Sequence, residues 1–543
     1  MNTSFIAPLA GGRKGKKANK MKTNDGMVEY TRATSTLLLL VLLSTPPSSF
    51  TTTKRHPFAH AHEEDVDERR EGEGGAWTYL DDVVLPTPLS DMGISTIPFI
   101  GINDTVSSSR AIVITGGCDS ADGNELIVFD DGGEGFVCKS VSSRAYAFVP
   151  TRASHHEPWT GTFVNLPDMP RPRYRHVSAV VDVVVDVVVD GGDGGGGGGS
   201  TTGDGSGGTT AVLCVFGGRD ELDGLVYEVD CYDPSMGTWI DAPTYLPSGR
   251  ASSDLAGFAH PHLPGVVYLV GGYDESYRAL DITTIVTMTT ISSSGDMNAT
   301  TTYAVGPALT GMRGDVDAAV VDGYAYVSGG FTHENEYETP MDTVERLLLE
   351  STTTNSTEDW KGVDALDQER GDKQLVGLDG RLYAMGGETK VNVTGVPESE
   401  LPDLGSRSEI LDTVEVFDPT VDDVVDGGGG VAEWHILAPM PGQLFRFGAV
   451  EWQDENNDLE EDDDDDDGYI FVFGGQVGYD GDCECFRTTD KVLVFNAHRA
   501  LEHDEIEDVD GGATSAGTTA VVDAARAAFA VAVAGVFLLW IAS

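Results

Sequence analysis

Six times along this chain a short run of apolar, β-forming residues ends in a pair of glycines. The runs are AIVIT before Gly116-Gly117, VLCVF before Gly217-Gly218, VVYLV before Gly271-Gly272, YAYVS before Gly329-Gly330, RLYAM before Gly386-Gly387 and YIFVF before Gly474-Gly475. An unbroken apolar run of this length, closed by glycine, predicts a fully buried strand that ends in a turn. A polar loop and a second strand follow, as at Leu225–Pro234, Met341–Glu350, Leu411–Pro419 and Asp490–Asn496. An aromatic residue then marks a further strand: Trp159, Trp239, Tyr303, Trp360 and Trp434. A large ring at a fixed phase of a repeat fills the space between neighbouring sheets.

Successive first glycines stand 101, 54, 58, 57 and 88 residues apart. The two long gaps hold insertions: a valine-aspartate and glycine tract over Asp182–Gly208, and polar stretches at Val391–Ser408 and Asp454–Asp467. Without them the period approaches the roughly fifty residues of one propeller blade. The pattern resembles the kelch repeat, in which a Gly-Gly follows one strand and spaced aromatics occupy the next. The resemblance covers residues 76 to 497. It departs at Tyr303, where a tryptophan is usual, and in the third and fourth repeats, which lack the counterpart of Tyr232. It implies a β-propeller of four-stranded antiparallel blades around a channel.

Ring closure is legible too. The last repeat offers strands near Phe445–Trp452, Tyr469–Gly475 and Lys491–Asn496, and its outermost strand is missing, while an orphan aromatic strand, Ala76–Leu80, precedes the first repeat. Pairing the two matches six aromatics to six glycine pairs and removes an exposed sheet edge. The expected fold is an all-β, six-bladed propeller closed by its N-terminal strand.

The flanks differ in composition. Residues 1–50 read as a leader: a basic cluster of Arg13, Lys14, Lys16, Lys17, Lys20 and Lys22 precedes the apolar run Thr36–Leu43, too short to span a bilayer but suited to a signal peptide. Residues 51–75 form a polar linker and 498–526 an acidic, small-residue spacer. The apolar tail 527–543 follows small residues at Ser515-Ala516-Gly517, the order of a lipid-anchor signal with attachment at Ser515; a membrane-spanning helix is the competing reading. These features place the chain in the secretory pathway, at the cell surface. Six cysteines, Cys118, Cys138, Cys214, Cys231, Cys483 and Cys485, permit disulfides there, with the Cys118/Cys138 and Cys214/Cys231 pairs each expected on neighbouring strands of one blade. Sequons at Asn103, Asn298, Asn355 and Asn392 fall in polar, turn-like stretches.

Acidic residues outnumber basic ones 89 to 34, and a net charge of −55 argues against nucleic acid as a partner. No Ser-His-Asp motif, zinc-type cysteine spacing or phosphate loop is present. Galactose oxidase is a copper enzyme on a kelch-like propeller, but the histidines here do not converge: His56, His60 and His62 sit in the leader segment, His155 and His156 in a loop, and His260 and His262 in a proline-flanked turn. The acidic stretches Asp119–Glu125 and Asp462–Asp467 lack the spacing of a defined calcium loop. No cofactor or metal site is expected.

Arginines stand just before the first strand of five blades: Arg175, Arg250, Arg313, Arg370 and Arg446. Arg313 and Arg370 lie 16 residues ahead of their glycine pairs, and Ile100 takes that place in the first blade. One repeat phase maps to one ring around the axis, so the five are expected to converge near the channel opening. The kelch resemblance implies that such arginines hold acidic ligand segments; the competing role is to tie loops together through carboxylates. The expected function is a secreted or membrane-anchored binding module for a protein or acidic glycan. The alternatives are a carbohydrate-active enzyme resembling sialate epimerases or galactose oxidase, and an intracellular scaffold.

Overall fold

The computed structural model describes residues 76–501 apart from 99–109, 120–123, 129–133, 153, 155–156, 187–207, 241–242, 289–290, 293–300, 335–336, 351–357, 392–403, 421–431 and 454–467. The leader, the four sequons, Ser515 and the C-terminal tail lie outside the described residues. Among the described residues no helix is long and apolar enough to cross a membrane.

Five four-stranded antiparallel sheets stand in a ring with a sixth, blade 2, to which Thr244–Tyr245 is added beside the third strand and Ile291–Ser292 parallel to the inner strand; the inner strands of all six touch in cyclic order, so the fold is a closed six-bladed β-propeller. From the axis outward, blade 1 is Gly93–Pro98, Arg110–Thr115, Ala145–Thr151 and Thr160–Asn165; blade 2 is Val177–Asp186, Gly208–Phe216, Glu228–Asp233 and Thr238–Trp239. Blade 3 is Ala256–Ala259, Val266–Val270, Thr283–Met288 and Thr301–Val305; blade 4 is Asp317–Val321, Tyr324–Ser328, Val344–Leu348 and Lys361–Val363. Blade 5 is Gln374–Leu378, Arg381–Met385, Val414–Phe417 and Trp434–Leu437. Blade 6 takes Gly448–Gln453, Gly468–Phe473 and Lys491–Asn496 from the end of the propeller and Trp77–Val84 from its beginning, with Trp77 opposite Phe495. A helical turn at residues 497–501 follows, its first turn capped where Arg499 N donates to Asn496 Oδ1.

The glycine pairs are the joints of the ring. All twelve have positive φ, a conformation in which any side chain is strained. A Cβ on the first glycine of each pair would come within 2.2–2.8 Å of a carbonyl of the next blade, at Arg173, Ser252, Arg313, Arg370, Leu444 and Leu89 in turn. The second glycine donates its N–H to that same carbonyl at 2.8–3.0 Å, six times around the circle. Sequence alone shows a buried strand and a turn; the structure adds that the turn is also the contact between blades.

The marker aromatics do more than pack. Trp77, Trp239 and Trp434 each donate an indole N–H to a carbonyl just beyond the outer strand of the preceding blade, at Ala438, Pro167 and Asp364. Between blades the core is aromatic and aliphatic, as where Phe148 of blade 1 meets Phe473 of blade 6 at 5.3 Å.

All six cysteines are bonded: Cys118–Cys138, Cys214–Cys231 and Cys483–Cys485. Cys214 and Cys231 face each other across neighbouring strands of blade 2. The expectation that Cys118 and Cys138 share a blade in that way is corrected: Cys138 ends an added hairpin, Asn124–Val128 with Glu134–Cys138, which the bond ties to the turn after Gly117. The Asp182–Gly208 tract is corrected at its edge, since Asp182 to Asp186 continue the inner strand of blade 2.

Candidate functional site

At the glycine-pair face, the loop entering each blade places one residue on the axis. These are Asp91, Arg175, Asp254, Asp315, Asp372 and Arg446, and all six adopt φ of 49–57°. Five of the six steps around this circle are closed by a backbone N–H to the preceding carbonyl: Arg175 to Asp91, Asp254 to Arg175, Asp372 to Asp315, Arg446 to Asp372 and Asp91 to Arg446, at 2.9–3.2 Å. Between Asp254 and Asp315 the donor is instead Val316 N, at 3.4 Å. Aspartate tolerates the left-handed conformation; arginine does so at a cost.

The side chains pair along the circle. Arg175 lies between Asp91 and Asp254, 3.6 and 3.4 Å from their carboxylates, and Arg446 between Asp372 and Asp91, at 2.8 and 3.7 Å. Asp315 has no guanidinium beside it in these pairs; the Tyr273 hydroxyl donates to its Oδ2 at 2.7 Å. Burial, and then the neighbouring carboxylates of Asp372 and Asp254, push the Asp315 carboxyl well above the usual range. Burial also raises Asp372, but Arg446, the hydrogen bond shared with Asp315 and Arg175 together carry it below that range. Asp91 is raised by burial despite both arginines.

The five predicted arginines therefore do not share one ring. Arg175 and Arg446 are on the axis, each held by aspartates. Arg313 and Arg370 sit two residues earlier in the repeat, where Arg173, which sequence reasoning passed over, is their true counterpart. These three are almost wholly buried and ion-paired to Glu345, Glu415 and Asp230 on the third strand of their own blades. Each also donates to the carbonyl of the first glycine, at Gly217, Gly329 and Gly386. They clamp the turn from within. Arg250 belongs to neither set and lies half-buried in a turn two residues before Ser252. The position in blade 1 equivalent to the axial arginines is Asp91, not Ile100.

Around this face four blades carry a hairpin directly after the glycine pair. Blade 1 has the one described above; blade 4 has Phe331–Glu334 with Tyr337–Pro340, blade 5 Glu388–Lys390 with Ser408–Ile410, and blade 6 Gln476–Asp480 with Cys485–Thr488. Phe136 of blade 1 packs on Phe486 of blade 6 at 5.1 Å, Ile410 of blade 5 joins the same apolar cluster, and Lys390 of blade 5 lies over Phe331 of blade 4 at 4.9 Å. The result is a continuous crescent over blades 4, 5, 6 and 1. Blades 2 and 3 carry tight loops instead, organised by Asp220 and Asp274, whose side chains accept backbone N–H groups of their own turns. Arg219 stacks on Tyr277 at 3.5 Å, and Tyr277 and Tyr174 both donate to Asp223.

Behind the charged circle the inner strands of all six blades enclose an axial cavity of about 430 Å³. His260, in the proline-flanked turn, is buried, and its Nδ1 accepts the N–H groups of His262 and Leu263. His176 is buried beside the glycine pairs with Nε2 3.0 Å from the Thr115 hydroxyl. Burial, and then the charge of Arg173, push its pKa down to about 3. Folding thus excludes a proton that the unfolded chain takes up below the ordinary histidine value, so this group removes stability as pH falls from 6.5 toward 3. Relative to His176→Gln, the wild type is expected to lose about 1.4 kcal/mol more per pH unit across that window. Urea unfolding at stepped pH measures it, and parallel pH profiles would count against a neutral, buried imidazole.

No protein-family model and no curated protein matches the chain. Among solved structures, one described as "Structure of YjhT" aligns with 76% of this chain and 95% of its own, at 14% identity and a TM-score of 0.43.

Proposed function

We propose that this six-bladed propeller is a kelch-type binding module that captures a protein or glycan ligand on its glycine-pair face, without a catalytic step. The crescent of four hairpins carries this reading. Loops raised on one face of a rigid scaffold, packed against one another and pinned at Cys118–Cys138, form a shaped rim rather than slack connections. The rim opens over blades 2 and 3, where Leu222 is 90% exposed. Its guanidiniums on the axis are engaged by aspartates, so a ligand would be gripped by shape and by the rim. Export, with retention at the membrane through the C-terminal signal, belongs to the same proposal: three disulfides suit an oxidising compartment.

The test is a glycan and peptide array probed with the secreted chain and with Leu222→Asp, in the blade 2 loop, and Val391→Asp, beside the blade 5 hairpin, two exposed apolar positions on this face. Each variant should weaken capture about 30-fold if its side chain is a central contact, with an unchanged melting temperature. Leu348→Asp, on the opposite face, should leave capture intact. Equal capture by all three variants would reject the glycine-pair face as the docking surface.

A further inference from the structure

We infer that Asp254, Asp315 and Asp372 form a binding site for a single hard divalent cation, of the calcium class, on the propeller axis. The inference is independent of what the rim captures.

Around the axial circle the charges run Asp91, Arg175, Asp254, Asp315, Asp372, Arg446. The arginines separate Asp91 from its neighbours on both sides, and strict alternation would put a third cation at the position of Asp315. A carboxylate stands there instead. Three acids are consecutive, and the six side chains, if all ionised, carry four negative charges against two positive. One divalent cation is the charge that the circle lacks.

The geometry fits such an ion. One carboxylate oxygen from each of the three aspartates lies within 4.8 Å of the others. Calcium binds oxygen at 2.3–2.6 Å, so two oxygens on one ion stand no more than about 5 Å apart. Carboxylate oxygens are the donors that a hard cation takes, and the axial cavity behind the circle has room for water to complete the shell. A second observation points to a ligand. Asp254 Oδ2 is buried without a hydrogen-bond partner, in a side chain only 3% exposed. A buried carboxylate oxygen left without a donor is costly, and natural proteins satisfy nearly all such atoms. The neighbouring oxygens are already committed: Asp254 Oδ1 faces Arg175, and Asp315 Oδ2 accepts from Tyr273. The backbone agrees, since the Asp254–Asp315 step is the one where the axial hydrogen bond is replaced by a longer contact.

The experiment uses the full chain, stripped with a chelator and titrated with calcium chloride by calorimetry at about 0.15 M salt, where diffuse attraction to the acidic surface is screened. One calcium per chain and a rise in melting temperature are expected. Asp315→Asn keeps the left-handed backbone that asparagine tolerates and removes only the charge. It should weaken calcium by at least about 100-fold, the upper range for losing a mere supporting group, and abolish the thermal response. Terbium in place of calcium gives a readout on the wild-type fold: tyrosine-sensitised emission should appear, be displaced by calcium, and drop in Tyr273→Phe with stoichiometry unchanged. Failure of the stripped wild type to bind one ion overturns the site, as does unchanged calcium affinity in Asp315→Asn or unchanged emission in Tyr273→Phe.

Discussion

Deleting residues 76–84 is expected to unfold the whole propeller rather than loosen one edge. This strand supplies the outermost member of blade 6 and buries Trp77, Leu80 and Val83 against it. Trp77 rests on Phe495 at 4.7 Å and donates to Ala438 in blade 5, so its loss also frees the joint between two blades. Trp77→Ala alone should cost about 3–5 kcal/mol, the usual penalty for emptying a buried aromatic site. The deletion should exceed that, because it also exposes the edge of Lys491–Asn496 to strand pairing with other molecules. Urea unfolding followed by tryptophan fluorescence, with sedimentation to detect association, measures both effects. A deleted chain that stays monomeric and unfolds at the wild-type midpoint would refute closure by this strand.

The second large effect concerns the buried clamp of Arg370 and Glu415. Glu415→Leu should cost about 3–5 kcal/mol, since it strands a guanidinium in the interior with only carbonyls for company. The double variant Arg370→Leu, Glu415→Leu should recover most of that loss. Blade 6 supplies the precedent inside the same molecule: Leu444 and Leu493 stand at the two equivalent positions, and both are buried. Replacing a buried ion pair by apolar residues is often neutral or favourable, whereas removing one partner is not. Midpoints of urea unfolding for the single and double variants decide the matter. A double variant as unstable as the single would show that the hydrogen bonds from Arg370 to Gly386 and Thr413, rather than the paired charges, hold the turn.

The fold was legible because its joints demand glycine. Two successive left-handed residues pressed against a neighbouring carbonyl leave no room for a side chain, so Gly116-Gly117 and its five counterparts mark the blades in the sequence. The orphan strand at Trp77 was legible for a related reason: an aromatic without a blade implied a blade without an aromatic. The axial circle was not, because aspartate accepts left-handed backbone and leaves no such mark. Arg175 and Arg446 looked equivalent to Arg313 and Arg370 once insertions were discounted, although the two sets differ by two residues and one is clamped inside the blade. A signal was present in the triplets Leu89-Ser90-Asp91, Arg173-Tyr174-Arg175, Ser252-Ser253-Asp254, Arg313-Gly314-Asp315, Arg370-Gly371-Asp372 and Leu444-Phe445-Arg446. Their first members face the blade and their third members the axis. The Val391–Ser408 insertion hinted at the crescent, and so could the blade 1 hairpin, whose apolar runs Leu126–Phe129 and Phe136–Cys138 flank an Asp-Asp-Gly-Gly turn. The hairpins of blades 4 and 6 are short and largely polar, so their strands did not stand out.

Closure by one strand from each end of the propeller also sets how the molecule answers force. Trp77 and Phe495 are direct partners in an antiparallel pair, so the chain enters and leaves blade 6 at the same end of that pair. Tension applied through the segments on either side would pull the two strands apart from this end, loading their hydrogen bonds one rung at a time instead of all together, because antiparallel bonds lie across the strands. The latch is thus thermodynamically central and mechanically weak: a steady pull would peel Trp77 away first and open the ring there while the other five blades were still intact.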